Sequence, residues 1–229
     1  MRFLPFALAI TLFVPTFARA DLTLVQSIVS EGSTTRLTMK IKGAQVRVDS
    51  TPLSTAFIDT ESGNMTNLIH PQKMIMRISG AQLKDMADAV KAASPVKPAP
   101  SAEPKATGRK ETINGYATEE YVVDTPSGKL HLWLARDYPD WKEIVLDLAR
   151  MSQGAWAKQL AGTVQADYDI ARLPGLPLRT EMTQPGGGQV IVRFEAIDRK
   201  PIPPEEYAIP GDYKEIQMPA MGIPATAEP

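Results

Sequence analysis

Residues 35–49, TRLTMKIKGAQVRVD, decide the class of fold. Along residues 35–41 the larger apolar side chains alternate with polar ones, and this period of two is typical of a half-buried strand. Residues 44–49 repeat the pattern, with Val46 and Val48 on one face, and Gly43 lies between the two runs at a turn. The stretch therefore predicts an antiparallel β-hairpin.

The same pattern recurs along most of the chain. Further strands are predicted at residues 22–29, 54–59, 65–70, 73–79, 109–113, 116–124, 129–136, 178–184 and 189–198. Turn-forming residues separate several of these strands, among them Asn114-Gly115 and a Gly-rich tip at residues 185–188. The chain therefore belongs to the mainly β class (α+β), with antiparallel strands in hairpins.

Two segments change to a helical period. Residues 81–92 place Leu83, Met86 and Ala87 on one side of a short amphipathic helix. A longer helix is predicted at residues 140–160, with Pro139 at its start. The predicted layout is therefore one of antiparallel strands interrupted by helices.

The first twenty residues predict an export signal. Arg2 gives a positive start, residues 3–17 are mostly apolar, and Ala18-Arg19-Ala20 has the small-x-small pattern of a cleavage site. Pro5 and Pro15 interrupt the apolar run, which is shorter than the ~20 residues needed to span a bilayer. We therefore expect a soluble, periplasmic mature chain that begins at Asp21 and has no transmembrane segment.

One segment has a composition that disfavours folding. Residues 93–107 contain four prolines among Ala, Ser and Lys, so they predict a disordered surface loop within a single domain at residues 21–213. A true linker between two domains is the alternative. The chain from Pro201 onward is also rich in proline, so we expect it to be irregular, with a flexible tail at residues 214–229.

Composition excludes several classes of protein. Removing Arg2 and Arg19 with the signal takes two of 25 basic residues, which against 26 acidic residues leaves a net charge of −3. This charge disfavours nucleic acid and anionic membrane surfaces as partners. The chain has no cysteine, so an exported domain of this sequence must be stable through core burial alone.

Catalytic and metal signatures are not found, so we expect no enzyme and no cofactor. His70 and His131 are the two histidines, neither lies in a spaced metal motif, and a structural role on a strand is the expected one. The carboxylate pairs could serve a hydrolase only if the fold brought two acids together. We expect surface acids instead at Glu119-Glu120, at Asp137 with Asp140, and at Glu205-Glu206.

Methionines and one tryptophan are the candidate ligand-binding residues. Met39, Met74 and Met76 lie on predicted strands, and flexible thioethers suit an adaptable apolar cavity as well as an ordinary core. Trp133 lies on the strand face opposite Leu130, Leu132 and Leu134, so both faces of that strand carry apolar bulk. Met39, Met74, Met76 and Trp133 are therefore predicted to line an apolar site, with a filled core as the alternative.

A succession of short motifs resembles a bacterial family of exported proteins, the domain-of-unknown-function 4412 family. The motifs, in order, are Gly43 with Arg47-Val48-Asp49, Phe57-Ile58-Asp59, residues 68–73 (LIHPQK), Ile113-Asn114-Gly115-Tyr116, Leu132-Trp133-Leu134-Ala135, residues 174–178 (PGLPL) and residues 207–213 (YAIPGDY). The family is similar in layout to the periplasmic lipoprotein carriers LolA and LolB. That similarity implies a curved antiparallel sheet or open half-barrel with two or three helices on its concave side.

Two functions of different classes remain open. One is a non-catalytic periplasmic binding protein that shelters a lipid, an acyl chain or a lipoprotein's apolar moiety. The other is a structural or protein-interaction domain with a filled core and a protein partner in the cell envelope. A cavity of at least ~300 Å³ favours the first and a filled interior the second.

Overall fold

The structure is a computed structural model that describes residues 20–50, 52–93, 103–125, 128–153, 169–183 and 187–216. Residues 1–19 of the predicted export signal, and most of the predicted loop at residues 93–107, lie outside these ranges. The predicted end of the second helix, at residue 160, lies outside them as well. The domain boundaries drawn from the sequence therefore stay predictions.

Strands form most of the described chain, as the period-two patterns predicted. Their bounds are β1 (Leu22–Ser30), β2 (Ser33–Lys42), β3 (Gln45–Ser50), β4 (Ser54–Asp59), β5 (Met65–Ile69), β6 (Met74–Ile78), β7 (Lys105–Ile113), β8 (Tyr116–Thr125), β9 (Gly128–Ala135), β10 (Leu176–Thr183), β11 (Gln189–Asp198) and β12 (Lys214–Ile216).

All twelve strands join one sheet in the order β12-β6-β5-β4-β3-β2-β1-β11-β10-β9-β8-β7. The pairings are antiparallel except for β12, which runs parallel to β6. Within the described residues β7 and β12 are the two edges, so the sheet is open. The mainly β class is confirmed, and the quoted stretch at residues 35–49 forms the β2–β3 hairpin.

The predicted turn at Asn114-Gly115 shows why the hairpins form where they do. Asn114 has φ 53° and Gly115 has φ 83°, and they connect Ile113 to its cross-strand partner Tyr116. A two-residue turn with positive φ at both positions matches the twist of the flanking strands, and Asn-Gly adopts it at low cost.

Two α-helices lie in the described residues, α1 (Gly80–Ala93) and α2 (Trp141–Gln153). Asp140 has φ 52°, which is outside the helical range, so α2 begins one residue after the predicted start. Ile144, Val145 and Leu148 bury one face of α2 in a core shared with Leu22 and Leu24 of β1. Neither described helix is long and apolar enough to cross a membrane.

Strand β9 carries a separate apolar cluster on each face. Leu130, Leu132 and Leu134 belong to one cluster, and Trp133 and Ala135 belong to the core that α2 covers. This arrangement confirms the prediction that both faces of the strand are apolar. It also explains why β9 reads as an almost continuous apolar run.

Two elements depart from the sequence-based expectations. Strand β7 begins at Lys105, so the last residues of the predicted loop at 93–107 are strand. Beyond Pro201, where an irregular chain was expected, a 3-10 helix spans Pro204–Tyr207 and β12 pairs with Met74–Met76 of β6. The tail predicted at residues 214–229 therefore starts with a strand.

A chain of hydrogen bonds fixes this tail to the sheet. The Tyr213 hydroxyl lies 2.7 Å from Nδ1 of His70, and Nε2 of His70 lies 2.9 Å from Oγ1 of Thr55. Thr55 donates to the buried carboxylate of Asp49 at 2.6 Å. Since the Thr55 proton goes to Asp49, Nε2 of His70 donates to Oγ1 of Thr55, and in the neutral imidazole Nδ1 then accepts from the Tyr213 hydroxyl. Both ring nitrogens of His70 are therefore engaged in contacts within the fold.

Tyr213→Phe removes only the hydroxyl at the end of this chain. We expect the free energy of unfolding to fall by ~0.5–1.5 kcal/mol, because Nδ1 of His70 loses its donor. Asp212→Asn is the control, since it breaks the exposed ion pair between Asp212 and Lys73, whose expected contribution is below ~1 kcal/mol. Chemical denaturation measures both variants. An unchanged midpoint for Tyr213→Phe contradicts the assignment.

Candidate functional site

A cavity of about 440 Å³ lies between α2 and the first three strands. Its sheet wall consists of Leu22, Ile41 and Val46, which are direct cross-strand neighbours on β1, β2 and β3. All three are buried, and they belong to the same apolar core. The cavity wall is therefore part of the same apolar core that α2 packs against.

The helix wall consists of Asp147, Arg150 and Met151. These positions are three and four residues apart, so they share one face of α2 near its C-terminal end. Oδ1 of Asp147 lies 3.8 Å from Nη1 of Arg150, and Oδ2 lies 3.4 Å from Nη1 of Arg199. The Asp147 side chain is only 7% exposed, whereas that of Arg150 is 61% exposed. The sheet wall of the cavity is thus apolar, and the helix wall carries charged side chains at the edge of the cavity, which we call the rim.

Two turns close the other side of the cavity. Gly43 and Ala44 come from the β2–β3 turn, and Thr60 and Glu61 follow β4. The Thr60 amide and hydroxyl both donate to the carbonyl of Ala44, at 2.9 and 3.0 Å, so the two turns are joined. Ala20, the last residue of the predicted signal, also lines the cavity.

Three of the predicted ligand-binding residues share the face of the sheet that carries the cavity wall. Met39 of β2 and Met76 of β6 are the ends of a row that passes through Val48, Ala56 and Asn67. The next row toward the cavity contains Ile41 and Val46. Met74 lies two residues from Met76 and therefore points to the same side.

These methionines are half-buried, and Met39 packs against the core. Met39, Met74 and Met76 are not among the residues that line the described cavities. Their role in binding an apolar ligand stays a prediction.

Trp133, the fourth predicted residue, lies on β9, which β1, β11 and β10 separate from β2 in the strand order. Its side chain is 3% exposed and packs in the core, away from both described cavities. The guanidinium carbons of Arg179 and Arg109 lie 4.5 and 5.3 Å from its ring centre. Nε1 of Trp133 is buried and has no hydrogen-bond partner. Trp133 and Met39 therefore belong to one apolar core, in which Trp133 is buried and Met39 is half-buried.

Glu120 corrects the expectation of surface acids, because it is 2% exposed at the centre of a polar network. Oε2 accepts from the Thr107 hydroxyl at 2.7 Å, and Oε1 lies 2.9 Å from Nδ1 of His131 and 3.1 Å from Nη1 of Arg109. Burial by itself raises the pKa of Glu120. The hydrogen bonds from Thr107 and His131 and the charge of Arg109 outweigh burial and hold the pKa below its usual range.

Glu206 also departs from the expectation of solvated surface acids. Its carboxylate lies 2.8 Å from Nζ of Lys40 and 2.9 Å from Nη1 of Arg47. A neighbour in the tail, Tyr207, has its pKa raised to about 12, chiefly by burial. These contacts fix the tail segment on the sheet, so Glu206 has a structural role.

Glu120 and His131 are engaged with each other within the fold. Both oxygens of Glu120 are engaged, and His131 is oriented by that carboxylate with no hydroxyl or thiol among its hydrogen-bond partners. Among the residues described, no group of three or more His, Asp or Glu side chains is placed to hold a metal ion. The cavity beside α2, at about 440 Å³, is the larger of the two described cavities.

Sequence reasoning did not identify the lining of this cavity. Leu22, Ile41 and Val46 were assigned to strand faces, but which part of a face α2 covers depends on packing between distant segments. A signal is present in α2, where Asp147 interrupts the apolar side of the predicted helix. A buried acid beside core positions marks the boundary between the covered and open parts of the helix.

Several solved structures match most of this chain at low sequence identity. Two crystal forms of PNGF-II match 88% and 87% of the chain, at 10% and 12% identity and TM-scores of 0.37 and 0.39. A LolA superfamily protein from Nitrosomonas europaea matches 84% of the chain and 91% of its own length, at 9% identity and a TM-score of 0.32. A DUF1329 family protein from Desulfovibrio piger matches 84% of the chain and 90% of its own length, at 9% identity and a TM-score of 0.33.

The chain spans about a third of the length of PNGF-II, 31% and 32% in the two crystal forms. Among curated proteins, none matches this chain. The family described as Domain of unknown function (DUF4412) matches residues 17–213, which include every strand from β1 to β11. The chain therefore belongs to the DUF4412 family, as the succession of motifs from Gly43 to Tyr213 predicted.

Proposed function

We propose that this protein is an exported, non-catalytic binding protein that shelters the acyl chain of a lipid or lipoprotein between its sheet and α2. The observation that carries the proposal is the cavity of about 440 Å³ walled by Leu22, Ile41 and Val46. Its volume lies within the ~300–1,000 Å³ of small-molecule sites. In this proposal the cavity lies on the concave side of the sheet, where α2 covers part of the apolar face.

The methionine row supplies a surface that can adapt to a chain longer than the cavity. Met39, Met74 and Met76 are half-buried on the face that leads away from Ile41 and Val46. Unbranched thioether side chains repack at low cost, so they suit ligands of variable length. A periplasmic location accords with the predicted export signal.

A second candidate, a structural or partner-binding domain, has one observation in its favour. Trp133 is enclosed by core side chains and by the guanidinium groups of Arg109 and Arg179, so that part of the interior is filled. Under this alternative the cavity beside α2 has no ligand. Ligand titration separates the two candidates.

The test is isothermal titration of the processed protein with single-chain acyl amphiphiles of increasing length. Each added methylene that enters the cavity contributes ~0.8 kcal/mol, so affinity should rise about fourfold per methylene until the cavity is full. Ala44→Phe places a ring at a lining position and should abolish or strongly weaken binding.

Ala106→Phe is the matched control, because Ala106 is exposed on β7 and does not line the cavity. It should bind the series as the unmodified protein does. Affinity that is independent of chain length, or unchanged in Ala44→Phe, contradicts the proposal and favours the filled domain.

A further inference from the structure

We infer that the cavity beside α2 selects a zwitterionic headgroup that pairs a phosphate with an ammonium, as a phosphoethanolamine lipid does. This inference rests on the proposed function, since the acyl chain is placed inside the cavity. It goes further in assigning Arg150 to the phosphate and Glu61 to the ammonium, across the rim that both residues line.

Arg150 is the rim cation available to a ligand. Its side chain is 61% exposed, and its contact with Asp147 measures 3.8 Å, longer than a hydrogen bond. Asp147 also has Arg199 at 3.4 Å, a side chain that is only 18% exposed. Arg150 can therefore turn toward a phosphate while Arg199 keeps the buried Asp147 neutralised. A guanidinium suits this role, because it donates to two phosphate oxygens at once.

Glu61 is the rim anion, and its position is fixed by a turn. Its amide donates to Oδ1 of Asp59 at 3.0 Å, and the next amide, of Ser62, donates to the same oxygen at 2.9 Å. Its side chain is exposed, and among the described residues no cation lies within ion-pair distance of its carboxylate. Among the described lining residues, Arg150 on α2 and Glu61 in the turn after β4 are therefore exposed side chains of opposite charge.

Charge balance excludes the simpler headgroups as the best ligands. A purely anionic headgroup that reaches Arg150 also meets the Glu61 carboxylate, and like charges in one site repel. A neutral headgroup leaves both charges to water and gains nothing from them. A headgroup with both charges is complementary to both walls, and complementarity of this kind determines specificity more than total affinity.

The experiment compares three single-chain lipids with the same acyl chain, each below its micelle concentration and at low salt. Their headgroups are phosphoethanolamine, phosphoglycerol and unmodified glycerol. Arg150→Gln should weaken binding of both phosphate lipids by about three- to fivefold and leave the glycerol lipid unchanged. Glu61→Gln should weaken the phosphoethanolamine lipid by a similar factor and strengthen the phosphoglycerol lipid.

Matched controls lie on the first turn of α2, outside the cavity lining. Lys142→Gln and Glu143→Gln remove the same charges from exposed positions and should leave all three affinities unchanged. If all three lipids bind and neither rim variant changes their order, the headgroup inference is overturned and the proposed function stands. If none of the lipids binds, the proposed function itself fails.

Discussion

Replacing Glu120 by alanine is expected to lower the free energy of unfolding by ~1.5–3 kcal/mol, because its buried carboxylate is lost together with the hydrogen bonds it accepts, while Arg109 and His131 stay accessible to water. Arg109 and His131 lose their shared carboxylate oxygen, and the Thr107 hydroxyl loses its acceptor. Thr107 and Arg109 lie on either side of Gly108, which has φ 80°, so Glu120 also holds the irregular part of β7 on β8. Urea denaturation monitored by circular dichroism measures the loss.

The same network predicts how stability depends on pH. The folded-state pKa of Glu120 is lowered, so the ionised carboxylate stabilises the fold fully above the unfolded value of about 4.3. This contribution is lost as the pH falls through the lower folded-state pKa. Glu120→Gln removes the titrating group and should flatten that part of the profile. Glu31→Gln is the control, since Glu31 is exposed in the turn between β1 and β2, and a loss in this control equal to that of Glu120→Ala contradicts the assignment.

Trp133→Ala is expected to cost ~3–5 kcal/mol of unfolding free energy, because it leaves a void in a filled part of the core. The ring contacts the guanidinium of Arg179, and this cation–π contact adds to the loss. If Trp133 lined a ligand site, as the sequence suggested, the variant would weaken ligand uptake more than it lowers stability. Denaturation and acyl-chain titration of the one variant separate the two outcomes.

Trp133→Phe is the matched control for the ring. Nε1 of Trp133 has no hydrogen-bond partner, so phenylalanine loses no hydrogen bond and retains a ring face for Arg179. We expect it to cost clearly less than the alanine variant. If the two variants lose the same unfolding free energy, packing of the Trp133 ring does not determine the effect, and this explanation is contradicted.

Local sequence patterns predicted most of the sheet. The bounds of β4 and β11 were predicted to the residue, because alternation and flanking turns define both ends. The pattern could not predict β12, whose pairing with β6 depends on contacts such as that of Tyr213 with His70, far apart in sequence. Nor could it place the start of β7, since most residues of this edge strand are exposed and show no alternation.

The candidate site was less predictable than the fold. A period of two places Met39 on the face that carries Ile41, but it does not tell which part of that face a helix covers. The burial of Glu120 also has no local signal, because its partners come from β7 and β9. A carboxylate on a strand is normally exposed, so only the assembled sheet identifies this exception.

A crystal structure of the processed protein with a single-chain acyl amphiphile that carries bromine at the chain end tests the central claim most directly. Anomalous scattering locates the bromine without reference to the protein model. The account predicts one bromine position inside the cavity, in contact with Leu22, Ile41 or Val46, and the headgroup at the rim near Arg150. Bromine located only on the outer surface, with protein side chains filling the cavity, would contradict it.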